Sequence, residues 1–333
     1  MADKIKWGLL GTGKIAHKFA ADLRLVQQAE LTAVASRSIE KAARFGAQFH
    51  AVKQYGTYLE LANDPEIDVV YIATPHVFHF ENTLMCLKAG KSVLCEKPMG
   101  MNAREVGAMI REAQSSNLFL MEALWTRFIP ATEKLIEIIE KEVIGEITSL
   151  QSDFGYAAGY DPESRLFNKM LGGGALLDIG LYPVYLSLLL MGMPSTIRAS
   201  AVFTGSGVDA SCAFHFGYEN GAHADLVATL QENTPIEALI KGTKGSVKMH
   251  KRFHHTEKLT LTVFDKSPEI LNIPYYGNGY FHEIEEVISC LQNHEIQSLK
   301  MPHSMSMDLI TTLDSIRKEF DLTYESDEGE LIE

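Results

Sequence analysis

No two cysteines of this chain stand close enough to read as a metal-ligand pair: Cys86, Cys95, Cys212 and Cys290 are far apart, with no C-x-x-C. That spacing argues against a zinc site and a disulfide framework, so no metal is expected and the thiols are expected reduced, in a reducing compartment. Positive charge is also short, 30 Lys and Arg against 43 Asp and Glu, for a formal net charge of -13. A polyanion-binding surface needs a basic field, so neither nucleic acid nor membrane is an expected partner, and any phosphate must be held locally. Long hydrophobic runs are missing too. Ile5–Leu10 is broken by Lys6 and Gly8 and is too short for a signal core, and the apolar run 183–193 falls below membrane-spanning length. Internal repeats and low-complexity linkers are absent from the sequence. A cytoplasmic protein is the resulting expectation. The 333 residues exceed what one core organises, which predicts two domains, 1–123 and 124–333.

The first 123 residues alternate strand and helix. Ile5–Leu10 reads as a buried strand, followed at once by Gly11-Thr12-Gly13-Lys14-Ile15-Ala16 and by Ile15, Phe19, Leu23 and Val26 at helical spacing. G-x-G-x-x-A in strand-turn-helix context is a dinucleotide fingerprint. The first glycine permits the turn, the second lets a pyrophosphate approach the backbone, and the small third residue lets the helix pack on the strand. After a second strand at 31–35 comes Ser36-Arg37-Ser38, where an NAD site would place Asp or Glu. A guanidinium there pairs with a 2'-phosphate and lies over the adenine, and both serines can donate to the same phosphate, which predicts NADP(H) over NAD(H).

Helices over Ile39–Phe49, 57–62, 78–89 and 103–115, with strands at 69–73, 92–95 and 118–121, imply a parallel sheet with right-handed crossovers. Thr74, Pro75, His76 and His79 fall just after a strand, on the edge where ligands of such sheets bind, and are assigned to the cofactor site. For the two histidines local hydrogen bonding is favoured over catalysis, because neither has a carboxylate paired nearby in sequence. Glu96-Lys97-Pro98 ends the next strand on the same edge, where Glu96 and Lys97 are also assigned to the cofactor site, and Pro98 keeps Lys97 out of the helical region.

In the second half, Trp125 and Arg127 mark the crossing between domains and are candidate substrate contacts; packing serves equally for Trp125. A helix over 131–142 precedes a strand from 145. From Ala175 the pattern is helical, which places Asp178 and Tyr182 at i and i+4 on one face, and Pro183 predicts a kink or restart near Tyr182. β-rich runs at 197–203, 209–216, 222–230, 236–240, 245–249 and 259–264 suggest one large, mostly antiparallel sheet, closed by helices at 280–292 and 305–320. An uncovered apolar sheet face would need a second copy, so a homodimer is expected. The acidic tail 325–333 reads as a solvated end. Trp125, Phe154, Tyr156, Tyr160, Phe167 and Phe281 either line an aromatic pocket for a cyclic diol, pyranose or dicarbonyl, or form ordinary core.

Gly11-x-Gly13-x-x-Ala16, Glu96-Lys97-Pro98, Glu122-x-x-Trp125-x-Arg127-Phe128 and Gly172-Gly173-Gly174-x-x-x-Asp178-x-Gly180-x-Tyr182 stand in this order. With them the chain resembles the glucose-fructose oxidoreductase, inositol dehydrogenase and MocA family over nearly its whole length. The resemblance implies an α/β fold: an N-terminal Rossmann doubly wound parallel sheet, then an α+β domain whose large, mostly antiparallel open sheet often makes a dimer contact. It implies an NAD(P)-dependent dehydrogenase acting on CH-OH groups of a sugar, polyol or trans-dihydrodiol. Lys97 and Tyr182 take the family's catalytic places and Asp178 its supporting acidic one; beside them, Trp125, Arg127, Phe154, Asp178 and Tyr182 are the candidate substrate contacts. Many members carry histidine in place of Tyr182; the dihydrodiol-oxidising branch carries tyrosine. A cis Lys97-Pro98 bond is implied as well. Two rivals stand beside this reading: a regulator that senses NADP(H) without chemistry, and a sugar oxidoreductase whose cofactor is held tightly and recycled in place.

Overall fold

A computed structural model describes residues 4–328 and divides the chain into two compact units. The first comprises residues up to Trp125 together with Tyr276–Met307. Its sheet is built from β1 (Ile5–Leu10), β2 (Ala29–Ala35), β3 (Lys53–Tyr55), β4 (Val69–Ile72), β5 (Ser92–Glu96) and β6 (Leu120–Ala123) in the order β3-β2-β1-β4-β5-β6. Every pair is parallel. The central strands are apolar on both faces, as burial between two helical layers requires: Leu9, Leu10, Val34, Val69, Val70, Ile72, Val93 and Leu94 are all fully buried. The helices are α1 (Lys14–Leu23), α2 (Ile39–Phe49), α3 (Tyr58–Ala62), α4 (His79–Lys88) and α5 (Ala103–Ser115). Strand order reverses between β2 and β4 around β1, which opens a crevice at the carboxyl ends of β1 and β4. On α1 the buried stripe is Ala16, Phe19, Ala20 and Leu23; Ile15, expected on that stripe, is 39% exposed.

The second unit comprises Thr126–Tyr275 and the residues from Asp308 onward. It contains α6 (Pro130–Glu140), β7 (Ile147–Gly155), α7 (Leu181–Met191), β8 (Thr196–Phe203), β9 (Asp209–Gly217), β10 (His223–Thr229), β11 (Ala238–Gly242), β12 (Gly245–Met249), β13 (Lys258–Val263) and β14 (Glu269–Asn272). The sheet order is β14-β13-β12-β11-β7-β10-β9-β8, antiparallel throughout except where β10 runs parallel to β7. Strand β9 alternates Ala210, Cys212, Phe214 and Phe216 inward with Ala213 and His215 outward. The inner face packs on α7, where Leu181 to Leu188 are all buried. The helical stretch Lys169–Met191 is long and apolar enough to cross a membrane, yet 83% of its apolar window is buried inside the fold, which makes it a core element. The run expected to be too short is therefore part of a longer one.

The last segments depart from the sequence expectation of one unbroken domain 124–333. Tyr276–Met307, with α8 (Phe281–Gln292), packs in the first unit; α9 (His303–Glu319) belongs to the second from Asp308 onward. The reason is a buried carboxylate. Asp22 on α1 is 0% exposed and accepts from the Asn278 N–H at 2.8 Å, the Asn278 side-chain amide at 2.7 Å, the Tyr280 N–H at 2.9 Å and the Phe281 N–H at 3.2 Å. It thus caps the N-terminus of α8 across the sequence, where amides and dipole favour an anion. Ile296 O accepts from the Leu120 N–H at 3.0 Å and adds a second tie. The acidic tail is also not wholly solvated, since Asp327 pairs with the buried Arg317 at 2.6 Å; residues 329–333 lie outside the described ones.

Glu283, in the first turn of α8, is 0% exposed, and neither carboxyl oxygen has a hydrogen-bond partner among the described residues. Burial, then the nearby Glu96 and Asp22 charges, push its carboxyl well above the ordinary 4.5. Above pH 4.5 the unfolded chain releases this proton while the folded chain keeps it, so stability falls as pH rises toward the native value. Glu283→Gln is therefore expected to be more stable than wild type at about pH 8, with the difference shrinking as pH falls. Urea unfolding across pH checks it; parallel stability curves would show that Glu283 holds no proton.

Candidate active site

At the crevice of the parallel sheet lies a cleft of ≈ 800 Å³ lined by Gly11, Thr12, Gly13, Ser36, Arg37, Ser38, Thr74 and Pro75, among others. Gly11 has φ +96°, and a Cβ there would stand 2.7 Å from the Ala73 carbonyl oxygen, so only glycine makes this turn. Gly13 opens α1, no side chain caps that helix, and nothing stands within 4 Å of where its Cβ would be. The first amides of α1 thus face open space that a pyrophosphate fits. Lys14 and Ile15 are exposed at the helix start and are not among the lining residues.

Arg37 sits at the end of β2, its guanidinium 5.9 Å from the Phe78 ring centroid and hydrogen-bonded to the Tyr58 hydroxyl. Ser38 caps α2, accepting from the Lys41 N–H at 3.3 Å and donating to Glu40 at 2.6 Å. Its hydroxyl is committed to the cap rather than offered to a phosphate as expected. Among the described residues Ser36 accepts from the Ser38 N–H at 3.4 Å, which leaves its hydroxyl hydrogen for a ligand. Sequence reading missed Lys41, Arg44, Phe45 and Gln48, which also line the cleft. Their i, i+3, i+4, i+7 spacing after the Ser38 cap was the available signal, a single face of α2.

The two histidines differ. His79 is 0% exposed, with Nε2 2.9 Å from the Thr74 carbonyl oxygen and Nδ1 2.8 Å from that of Pro98, so it braces the loops after β4 and β5. His76 is buried beside it, ring centroids 5.9 Å apart. Thr74 accepts from the Asn82 amide at 3.2 Å. Lys97-Pro98 is cis. Glu96 accepts from the Tyr71 hydroxyl and, at 3.2 Å, from the Lys97 N–H. Under this turn Glu122 accepts from the Met99 N–H at 2.9 Å, and burial pushes its carboxyl up to about 7.

Asp178 and Tyr182 belong to the second unit. The segment carrying Asp178, Leu176–Gly180, is a π-turn in which the Leu181 N–H reaches back to Leu176, and α7 starts only at Leu181. Pro183 cannot donate to the preceding turn, and the wider turn absorbs that loss. The backbone stays right-handed helical from Ala175 through Gly180 and Leu181, so the chain does not restart; the kink or restart expected near Tyr182 takes the form of a widened turn just before it. The Asp178 carboxylate pairs with Arg165 at 3.0 Å and accepts from the Tyr156 hydroxyl, whose pKa is pushed up to about 12 by burial and then by the Asp178 charge. The Tyr182 ring is 5.6 Å from Phe154 and 5.0 Å from His254, and Phe154 stacks on His254 at 4.4 Å.

So the structure holds Phe154, Asp178 and Tyr182 in one unit, sets Tyr156 of the expected rings against Asp178, and adds Arg165 and His254. Arg165 lies in an irregular loop and His254 in the short turn Phe253–His255, where no periodicity marks either. Other expected contacts are held elsewhere. Trp125 stacks on Tyr280 at 4.8 Å with 9° between planes, and Arg127 pairs with Glu133 at 3.0 Å, its side chain 11% exposed. The six-ring pocket does not form as a set: Phe167 is core against Tyr160, and Phe281 packs on Tyr276.

Comparison with known proteins matches residues 5–124 to the profile described as the GFO/IDH/MocA oxidoreductase family, NAD-binding Rossmann fold, and residues 132–248 to its C-terminal domain. The trans-1,2-dihydrobenzene-1,2-diol dehydrogenase of Mus musculus is 36% identical over 97% of this chain and 99% of its own length, and that of Homo sapiens 33% over the same shares. Among solved structures, aldose-aldose oxidoreductase from Caulobacter crescentus, complexed with glycerol, superposes with a TM-score of 0.87 at 22% identity, covering 95% of this chain and 97% of that one. A 3-ketoreductase from Actinomadura kijaniata, in complex with NADP and TDP-benzene, gives 0.86 at 24%, covering 96% and 98%. At such identities the structures speak for the fold.

Proposed function

The chain belongs to the Gfo/Idh/MocA oxidoreductase family, and from that premise we propose an NADP-dependent dehydrogenase that moves a hydride between the nicotinamide and a secondary alcohol or hemiacetal of a sugar, polyol or trans-dihydrodiol, or the matching carbonyl. The observation that carries this reading is the Tyr182 phenol, set against Phe154 and His254 in the unit that also presents Asp178. The cofactor, when bound, supplies the hydride chemistry. Tyr182 takes the proton from the alcohol oxygen during oxidation and returns it to the developing alkoxide during reduction. Lys97, at the turn after β5, takes the family's other catalytic place in this reading, as a positive charge that favours the ionised form of a reacting hydroxyl. Asp178, held by Arg165 and Tyr156, orients the substrate hydroxyl, and Phe154 offers a ring face to a cyclic substrate. The names of the curated relatives support the dihydrodiol arm, and a panel of aldoses, polyols and a trans-dihydrodiol with NADP⁺ tests it. Tight NADP(H) binding without turnover on any of them would replace the dehydrogenase with a sensor.

NADP over NAD is supported by Arg37, Lys41 and Arg44 on the rim of the nucleotide cleft, with no carboxylate among the lining residues. Charge-assisted bonds to a phosphate are worth roughly 1.5–3 kcal/mol each. Arg37→Ala is therefore expected to raise the KM for NADPH by about 10-fold or more and leave that for NADH nearly unchanged. An unchanged preference would return the cofactor assignment to NAD(H). For assembly, a homodimer through the eight-stranded sheet is favoured by Val202 and Val227, 54% and 40% exposed on its outer face. Four buried free thiols favour the cytoplasm.

A further inference from the structure

The glycine run that leads into the π-turn ends against a carboxyl that no motif singles out. Asp209, the first residue of β9, is 0% exposed, and its Oδ2 accepts from the Leu176 N–H at 2.6 Å. Leu176 opens the π-turn. The Ala175 amide also reaches this carboxyl. Gly174 has φ +125°, and a Cβ there would stand 2.2 Å from Asp209 Oδ1, so the approach admits only glycine. One residue earlier, the Gly173 carbonyl accepts from the Tyr324 hydroxyl at 2.7 Å. The entry to the turn is therefore gripped at Gly173 by a phenol and at Ala175 and Leu176 by a carboxyl. Burial pushes the Asp209 carboxyl up to about 7, against the pull of the amides it accepts from. The titratable groups facing it are Cys212 on its own strand and Tyr324, with the Arg317–Asp327 pair beyond Tyr324.

We propose that Asp209 is a positioning residue: by holding the Leu176 amide it fixes the rotation of the π-turn, and so the placement of Asp178 and Tyr182 for proton transfer at the substrate oxygen. This rests on the reading of Tyr182 as the proton-carrying group. Because the grip tightens when the carboxyl ionises, placement improves as pH rises through neutrality. A helix start that shifts by about 1 Å can cost up to about 100-fold in rate.

Two variants separate the roles. Asp209→Asn keeps an oxygen for the Leu176 N–H and never ionises; Asp209→Ala keeps no acceptor. We expect Asp209→Ala to lose about 10- to 100-fold in kcat with the KM for NADPH within about twofold of wild type. Asp209→Asn should recover most of that rate while losing the ionisation near neutrality from its kcat–pH profile. The Leu176 amide proton resonance should titrate near neutral pH in wild type and be flat in Asp209→Asn. Wild-type kcat in Asp209→Ala, or a Leu176 amide that still titrates in Asp209→Asn, would overturn the proposal. Should the alanine variant not fold, the asparagine titration decides alone. Full turnover in Tyr182→Phe would remove the proton-transfer reading, and the amide titration would still report whether Asp209 holds the turn.

Discussion

Tyr182→Phe is expected to bind NADPH like wild type and to turn over about 10²- to 10⁴-fold more slowly, the range that a positioned acid or base contributes. The substitution removes one hydroxyl and keeps the ring that packs against Phe154 and His254, so the fold of the second unit should not register it. Kcat and kcat/KM should fall together, because the lost proton transfer exists only in the transition state. Lys97→Met should lose activity on the same order by a different route. An unassisted phenol, with a reference pKa of about 10, is a poor base near neutrality, and the lysine charge lowers that cost. The remaining activity of Lys97→Met should therefore rise with pH well beyond the wild-type plateau, whereas that of Tyr182→Phe should stay low at every pH. Stopped-flow measurement of the hydride step, with cofactor affinity measured separately by fluorescence, distinguishes the two. Near-wild-type rates in both variants would strike them from the mechanism.

The largest effect on stability is expected away from the chemistry, at Asp22. Asp22→Ala strands three buried or half-buried backbone amides and the Asn278 side-chain amide, which together donate to this one carboxylate. Each unsatisfied donor costs about 1–3 kcal/mol when water cannot replace the lost acceptor, so a total loss of about 3–5 kcal/mol is expected. Asp22→Asn should lose about half as much, since its amide keeps one oxygen but turns two hydrogens toward the same donors. A lowered urea midpoint, together with earlier proteolysis within residues 276–307, is the expected pattern. An unchanged midpoint in Asp22→Ala would mean that the returning segment is held by its apolar face alone, where Ile284, Val287 and Ile288 are buried.

Local pattern carried most of the parallel sheet. Residues Ile5–Leu10, Ile39–Phe49 and Ala103–Ser115 form the elements their periodicity predicts, and the crevice residues Gly11, Gly13 and Arg37 meet in the cleft as their spacing implies. The short strands Lys53–Tyr55 and Glu269–Asn272 escaped notice because three or four residues carry no measurable alternation. The π-turn was invisible for a different reason: its signal is one proline, which is compatible with a kink, a restart or a widened turn. Long-range contact accounts for the rest. Asn278 meets Asp22 across 256 residues of sequence, and Asp209 meets Leu176 across 33. Nothing in either neighbourhood announces its partner. His254 and Arg165 belong to the same class, since their importance arises only from what tertiary packing sets beside them.

The return of Tyr276–Met307 to the first unit bears on how the chain is made. A ribosome releases residues up to Trp125 long before it has synthesised the amides that Asp22 requires, and the whole of Thr126–Tyr275 emerges in between. Until then α1 holds a carboxylate on a face that is meant to be sealed. The nascent nucleotide-binding half must therefore wait, incomplete, for its own C-terminal helix, and completion of one half is bound in time to synthesis of the other. Excising residues 1–123 as a minimal cofactor-binding fragment would remove that helix permanently, leaving a product prone to chaperone capture or precipitation.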